Sequence, residues 1–155
     1  MGCPSFHESA LSYSLLQKTN EEVNVDRRII NPWKWQDQRG FVQANEVSGA
    51  ERVLYCAGQV SMDPDGKPLH RGDMRAQINQ VIDNLEEVLR GAGFGVSDIV
   101  RLTFYTTDVD RYLENRDVVM DRLVRAGCRF AATLLGVSRL AQPELLIEIE
   151  ATAVK

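Results

Sequence analysis

Two glutamates, Glu148 and Glu150, stand inside the C-terminal run LLIEIEATAV. If that run is a strand, its alternation puts Ile147, Ile149 and Ala151 on one face and both carboxylates on the other. A half-buried carboxylate can position a water molecule and take its proton. It can equally be a solvated surface group. The β-rich run before it, CRFAATLLGVSRL (Cys128 to Leu140), offers no cation around Ala131 and Ala132. Acids taken out of water usually have a cationic or hydrogen-bonding partner. The pair therefore marks either a catalytic site or a site from which the key charge has gone.

Other chemistries find less support. The three cysteines, Cys3, Cys56 and Cys128, have no CxxC spacing, and His7 and His70 are the only histidines. No metal-ligand set is expected. An odd count of widely spaced cysteines fits reduced thiols and a cytoplasmic protein. A net charge of −4 and the absence of any Lys/Arg run argue against a nucleic-acid partner. No apolar run approaches membrane-spanning length, so no membrane association is expected.

A chain of 155 residues fits one domain with a core of its own. Residues 1–30 are polar and irregular and read as a tail. HESALSYSLLQKT within them offers a short helix at most. Residues 31–155 read as the domain. Arg39 to Val47 and Arg52 to Val60 read as two strands of a hairpin joined at SGAE, and DPDGKP reads as a turn. Gly72 to Gly93 is the clearest helix. Asp73 is placed to cap it, and Ile78, Val81, Ile82, Leu85, Val88 and Leu89 form one apolar stripe. IVRLTFYTTD gives a third strand. Val109 to Gly127 gives a second amphipathic helix, with Tyr112, Leu113, Val119, Met120 and Leu123 near its buried side. The order β-β-α-β-α-β-β predicts an α+β domain, a mixed β-sheet with two helices packed on one face. The other face would keep apolar residues that need cover, which predicts sheet-to-sheet oligomerisation.

The stretches FVQANEV, LYCAGQVSMDPDGK, GDMRAQINQVIDNLEEVLRGAG, DIVRLTFYTTDVDRY, GVSRL and LIEIEATAV follow one another in an order and spacing that resembles the Rid family. This family is also called the YjgF or L-PSP endoribonuclease-like family. The likeness runs from about Gly40 to Val154. It implies a chorismate-mutase-like YjgF fold and a homotrimer whose sheets form a central barrel. Small-molecule clefts would lie at the subunit boundaries. Active members hydrolyse enamines and imines such as 2-aminoacrylate, without metal or organic cofactor. Their arginine, in a P-x-R-[ST] stretch, clamps the substrate carboxylate, and a glutamate in EIE acts on water.

Carried over residue by residue, the resemblance puts that arginine at Ala132, the preceding proline at Phe130 and the following Ser/Thr at Thr133. A frequent cysteine falls at Leu134, a tyrosine at Phe41, and the hydroxyl residue before GQ at Ala57, beside Gly58. The glutamate is retained as Glu148. Losing a bidentate guanidinium contact costs a few kcal/mol, on the order of a hundredfold in binding. Arg129, three positions before Ala132, and Arg116, near a frequent family asparagine, are the available surrogates. Arg139 matches a family residue outside the clamp. The expectation is a hydrolase of an enamine, imine or related carbonyl-type metabolite, less anionic or more apolar than 2-aminoacrylate. The cleft would be lined by Phe41, Ala57, Gly58, Ala132, Thr133 and Leu134, with Glu148 acting on water. The alternative is a non-catalytic small-molecule-binding or regulatory trimer. Nuclease activity, implied only by the older family name, has little support from an acidic chain without His/Lys clustering.

Overall fold

The structure, a computed structural model, describes residues 25–155. The short helix considered in HESALSYSLLQKT lies outside them. The described residues form six strands: β1 (Asp26–Ile30), β2 (Ala44–Ser48), β3 (Val53–Val60), β4 (Ile99–Thr106), β5 (Ala131–Gly136) and β6 (Ile147–Val154). The long helix α1 (Met74–Gly91) joins β3 to β4. Two short helices, α2 (Val109–Glu114) and α3 (Asp117–Val119), join β4 to β5, and α3 runs into a wide turn over Met120–Val124. The main sheet has the order β3-β6-β4-β5, antiparallel except for the parallel β4–β5 pair. This is the mixed-sheet α+β fold expected.

Two expectations are corrected. The first two predicted strands do not form a hairpin. β2 pairs with β1, and β3 pairs with β6. β3 turns Cys56 into the core beneath α1, so it belongs where a helix covers it. β2 is polar, and Arg28 of β1 forms an ion pair with its Glu46. Residues 26–30, assigned to the tail, are thus a strand. Arg27 Nη1 fastens this ribbon by donating to Ser97 O at 2.7 Å. Asn45 Nδ2 does the same to Val100 O and Arg129 O, at 2.7 and 2.8 Å.

The second correction concerns the helix expected over Val109–Gly127, which is broken. Asn115 Nδ2 donates to Arg111 O at 2.9 Å, and Asn115 N to Tyr112 O at 3.0 Å. A short amide side chain competes in this way with the helical hydrogen-bond ladder. The break still leaves Tyr112, Val118, Val119 and Leu123 buried, while Leu113 stays exposed.

α1 forms as its pattern requires. Asp73 Oδ1 accepts from Ala76 N at 3.0 Å and caps the first turn. Ile78, Val81, Ile82, Leu85 and Leu89 are fully buried, and Val88 lies at the stripe's edge. Each such side chain contributes about 1.5–3 kcal/mol by leaving water. Opposite them Ile147, Ile149, Ala151 and Ala153 of β6 face the same core. The helices cover this one face. The other presents Glu148, Glu150, Thr152, Arg101 and Tyr105, with Tyr55 and Val53 openly exposed. Among the described residues no helix is long and apolar enough to cross a membrane.

Candidate functional site

Glu148 projects from β6 on the uncovered face, opposite Val60 of β3 and Tyr105 of β4. The β3–β6 register shifts between Cys56 and Gln59, which brings Gly58 beneath it. The carboxylate lies directly on Gly58. A Cβ there would overlap Oε1 and stand 2.6 and 2.8 Å from Cδ and Cγ. A larger residue here would displace the carboxylate, so glycine is what lets Glu148 sit this close. Partial burial, reinforced by the neighbouring Glu150, pushes the Glu148 carboxyl above its ordinary value. Glu150 is occupied, since it accepts from Tyr105 Oη at 3.0 Å. Glu148 has no hydrogen-bond partner among the described residues. Both acids border an open depression of about 510 Å³ that also contains Tyr105 and Arg139. Sequence reasoning had set Arg139 aside. Ala57 is exposed on β3 next to this group.

The sheet separates the predicted site residues into two groups. Ala132 and Leu134 are register partners of Leu102 and Phe104, and so face the helices. There they line a cavity of about 220 Å³ together with Phe41, Phe104, Phe130 and Arg116. Glu148 and Gly58 lie on the opposite face. Thr133 points away from the cavity, and its hydroxyl accepts from Arg101 Nη2 at 3.1 Å. Arg129 stays outside as well. Its Nη1 donates to Val124 O and Cys128 O, both at 3.3 Å, beside a neighbouring depression.

Several cavity residues escaped the sequence reading. Arg39 lines it from the turn before Phe41, with its guanidinium 5.2 Å from the centre of the Trp35 ring. Trp35 meets Phe41 edge-on at 5.9 Å. Gly40 makes the sharp turn between Arg39 and Phe41 at a φ of 79°, with Met120 packed where a side chain would be. Tyr112 is buried against Phe104 at 5.5 Å. Burial raises its phenol far above the ordinary value, although Arg116 works the other way. The cluster of tryptophan and arginine in WKWQDQRGF was the available signal.

The chain is thus an α+β domain whose sheet has this order and one long crossover helix, with an apolar cavity behind β5 and a glutamate seated on a glycine. Residues 37–155 match the family described as "Endoribonuclease L-PSP", and the chain belongs to that family, the Rid or YjgF family. It is similar to a RutC family protein, PH0854, of Pyrococcus horikoshii, at 32% identity over 106 residues, covering 68% of this chain and 82% of that protein. It is also similar to the human 2-iminobutanoate/2-iminopropanoate deaminase, at 30% identity over 87 residues, 56% of this chain and 61% of that protein. Among solved structures, the Rid family protein YyfB of Yersinia pestis, a protein of unknown function, superposes with a TM-score of 0.76. It is 39% identical, and the match covers 83% of this chain and 98% of that one.

Proposed function

We propose that this chain is a cytoplasmic homotrimer that hydrolyses an imine or enamine to a carbonyl compound and ammonia. Glu148 is its general base. The observation that carries this reading is Glu148 itself: partly desolvated, seated on a glycine, and with no partner among the described residues to justify its burial. The deaminase activity of the human relative supports the reaction class.

The chemistry balances without a further reactant. Glu148 takes a proton from water as the water oxygen bonds to the C=N carbon, the C=N electron pair moves to nitrogen, and Glu148 passes that proton to the nitrogen. The carbinolamine hydroxyl then gives its proton through Glu148 to the amino group as the C–N bond breaks. Ammonia leaves and a C=O remains. Within one protomer Glu148 and the cavity at Ala132 are on opposite faces of the sheet. The cleft therefore pairs the cavity of one protomer with Glu148 of the next. The exposed Tyr55 and Val53 on the uncovered face support such an assembly. Ala132 stands where the family's carboxylate-clamping arginine falls, so 2-aminoacrylate is not the preferred substrate.

The test is Glu148→Gln, assayed on imino acids generated in situ by an amino-acid oxidase while keto-acid release is followed. Loss of turnover with the oligomer intact is expected. Undiminished turnover would overturn the role of Glu148. A protein that binds ligands and accelerates no hydrolysis would be the binding trimer instead.

A further inference from the structure

We infer that the cavity behind β5 takes an organic acid with a branched or aromatic apolar body, its single carboxylate held between Arg39 and Arg116 at the rim. This deepens the reading above and rests on it for the use of the site. It also relocates the anion-binding function that Ala132 cannot perform.

Three observations converge. The first is the wall. Phe41, Phe104, Phe130, Val119, Ala132 and Leu134 are apolar, and Phe104 and Phe130 meet at 6.2 Å between ring centres. Ala132 leaves open the space a long side chain would fill. A cavity of about 150 Å³ accepts a benzene-sized ligand, so the 220 Å³ here has room for a ring or branched chain and a short substituent.

The second is charge. Two arginines line this cavity and no carboxylate does, among the described residues. Arg39 and Arg116 have no acidic partner among the described residues. The Arg39 guanidinium lies within cation–π range of the Trp35 ring. Two guanidiniums beside an apolar chamber match a carboxylate on an apolar body.

The third is the Tyr112 hydroxyl. It belongs to a buried residue lining the cavity, and no described residue pairs with it. The hydroxyl oxygen keeps some exposure toward the cavity, where a ligand oxygen or imine nitrogen can pair with it.

The test is calorimetry on the intact oligomer with 3-phenylpropionate, its neutral analogue 3-phenylpropanol, and acetate. The acid should bind at least about tenfold more tightly than either comparison ligand, and its affinity should fall with added salt. Arg39→Gln and Arg116→Gln should each weaken it by about tenfold. Arg90→Gln, on the outer surface of α1, should leave it unchanged. Equal binding of acid and alcohol, equal binding of acetate, or no binding of the acid would overturn the inference using the wild-type protein alone. Unaltered affinity in both cavity variants would overturn the assignment to Arg39 and Arg116. Tight, arginine-dependent binding with no imine hydrolysis would leave this inference standing and remove the proposed reaction.

Discussion

Replacing Gly58 with alanine isolates what Glu148 does. The substitution adds one methyl group, and that methyl would overlap Oε1 and come within 2.8 Å of Cγ. Ordinary van der Waals contacts begin more than half an ångström further out, so the carboxylate must swing away by roughly 1 Å. A misplacement of that size reduces a positioned reaction by about a hundredfold, or roughly 2.7 kcal/mol of barrier. Stability should respond differently. The backbone at Gly58 has an ordinary negative-φ conformation open to alanine, and Gly→Ala at such a site restrains the unfolded chain by about 0.4–1 kcal/mol. The Glu148 side chain is long enough to yield by rotation. The expected signature is a large loss of imine hydrolysis with a midpoint of urea unfolding close to wild type. Keto-acid release and denaturation, measured on the same preparation, give both numbers. Full activity in Gly58→Ala would refute the claim that the seating of Glu148 on Gly58 matters to the reaction.

Glu150→Gln removes the charge that helps to raise the Glu148 carboxyl. The base works when deprotonated, so activity is lost as pH falls through its pKa. The acid limb of the pH–rate profile should therefore move to lower pH in this variant. An unmoved limb would separate that limb from Glu148. Leu85→Ala, at a fully buried position of α1, should cost about 2–5 kcal/mol in urea unfolding. Asp73→Ala should cost about 1 kcal/mol by removing the helix cap. Burial lifts the Cys128 thiol to about 12 and raises Cys56 too. In a Cys3→Ser background neither should be alkylated at pH 8 until the protein unfolds, which mass spectrometry would read directly.

How much of this was legible in the sequence depended on range. α1 could be read because one residue in every three or four had to face the sheet, and Asp73 marked its start. β6 could be read because Glu148 and Glu150 alternate with residues of the core. Strand partners could not. Nothing local in Ala44–Ser48 says that its mate is Asp26–Ile30, because Arg28 and Glu46 meet only after the chain has folded. The break at Asn115 was hidden for a related reason. An apolar pattern continuing at helical spacing records burial but not the hydrogen bond from Asn115 to Arg111 that interrupts the ladder. Of the site, Phe41, Arg116, Ala132 and Leu134 do come together, and so do Glu148 and Gly58. Their separation by the sheet followed from the β4–β5 register. Arg39 was read as the first residue of a strand, whereas a helical turn and Gly40 bring it to the cavity's edge.

The central claim is that each cleft joins the cavity of one protomer to Glu148 of another. Mixing Glu148→Gln with the double variant Arg39→Gln/Arg116→Gln, whose binding should be weakened on the order of a hundredfold, under denaturing conditions, refolding them together and assaying at low substrate concentration tests it most directly. If the cleft is shared, random co-assembly restores both halves in roughly a quarter of the clefts, and imine hydrolysis returns to about that fraction of wild type. If all parts of the site came from one protomer, every cleft would lack one of them. The mixture would then stay as inactive as the two variants refolded separately, and the account would be contradicted.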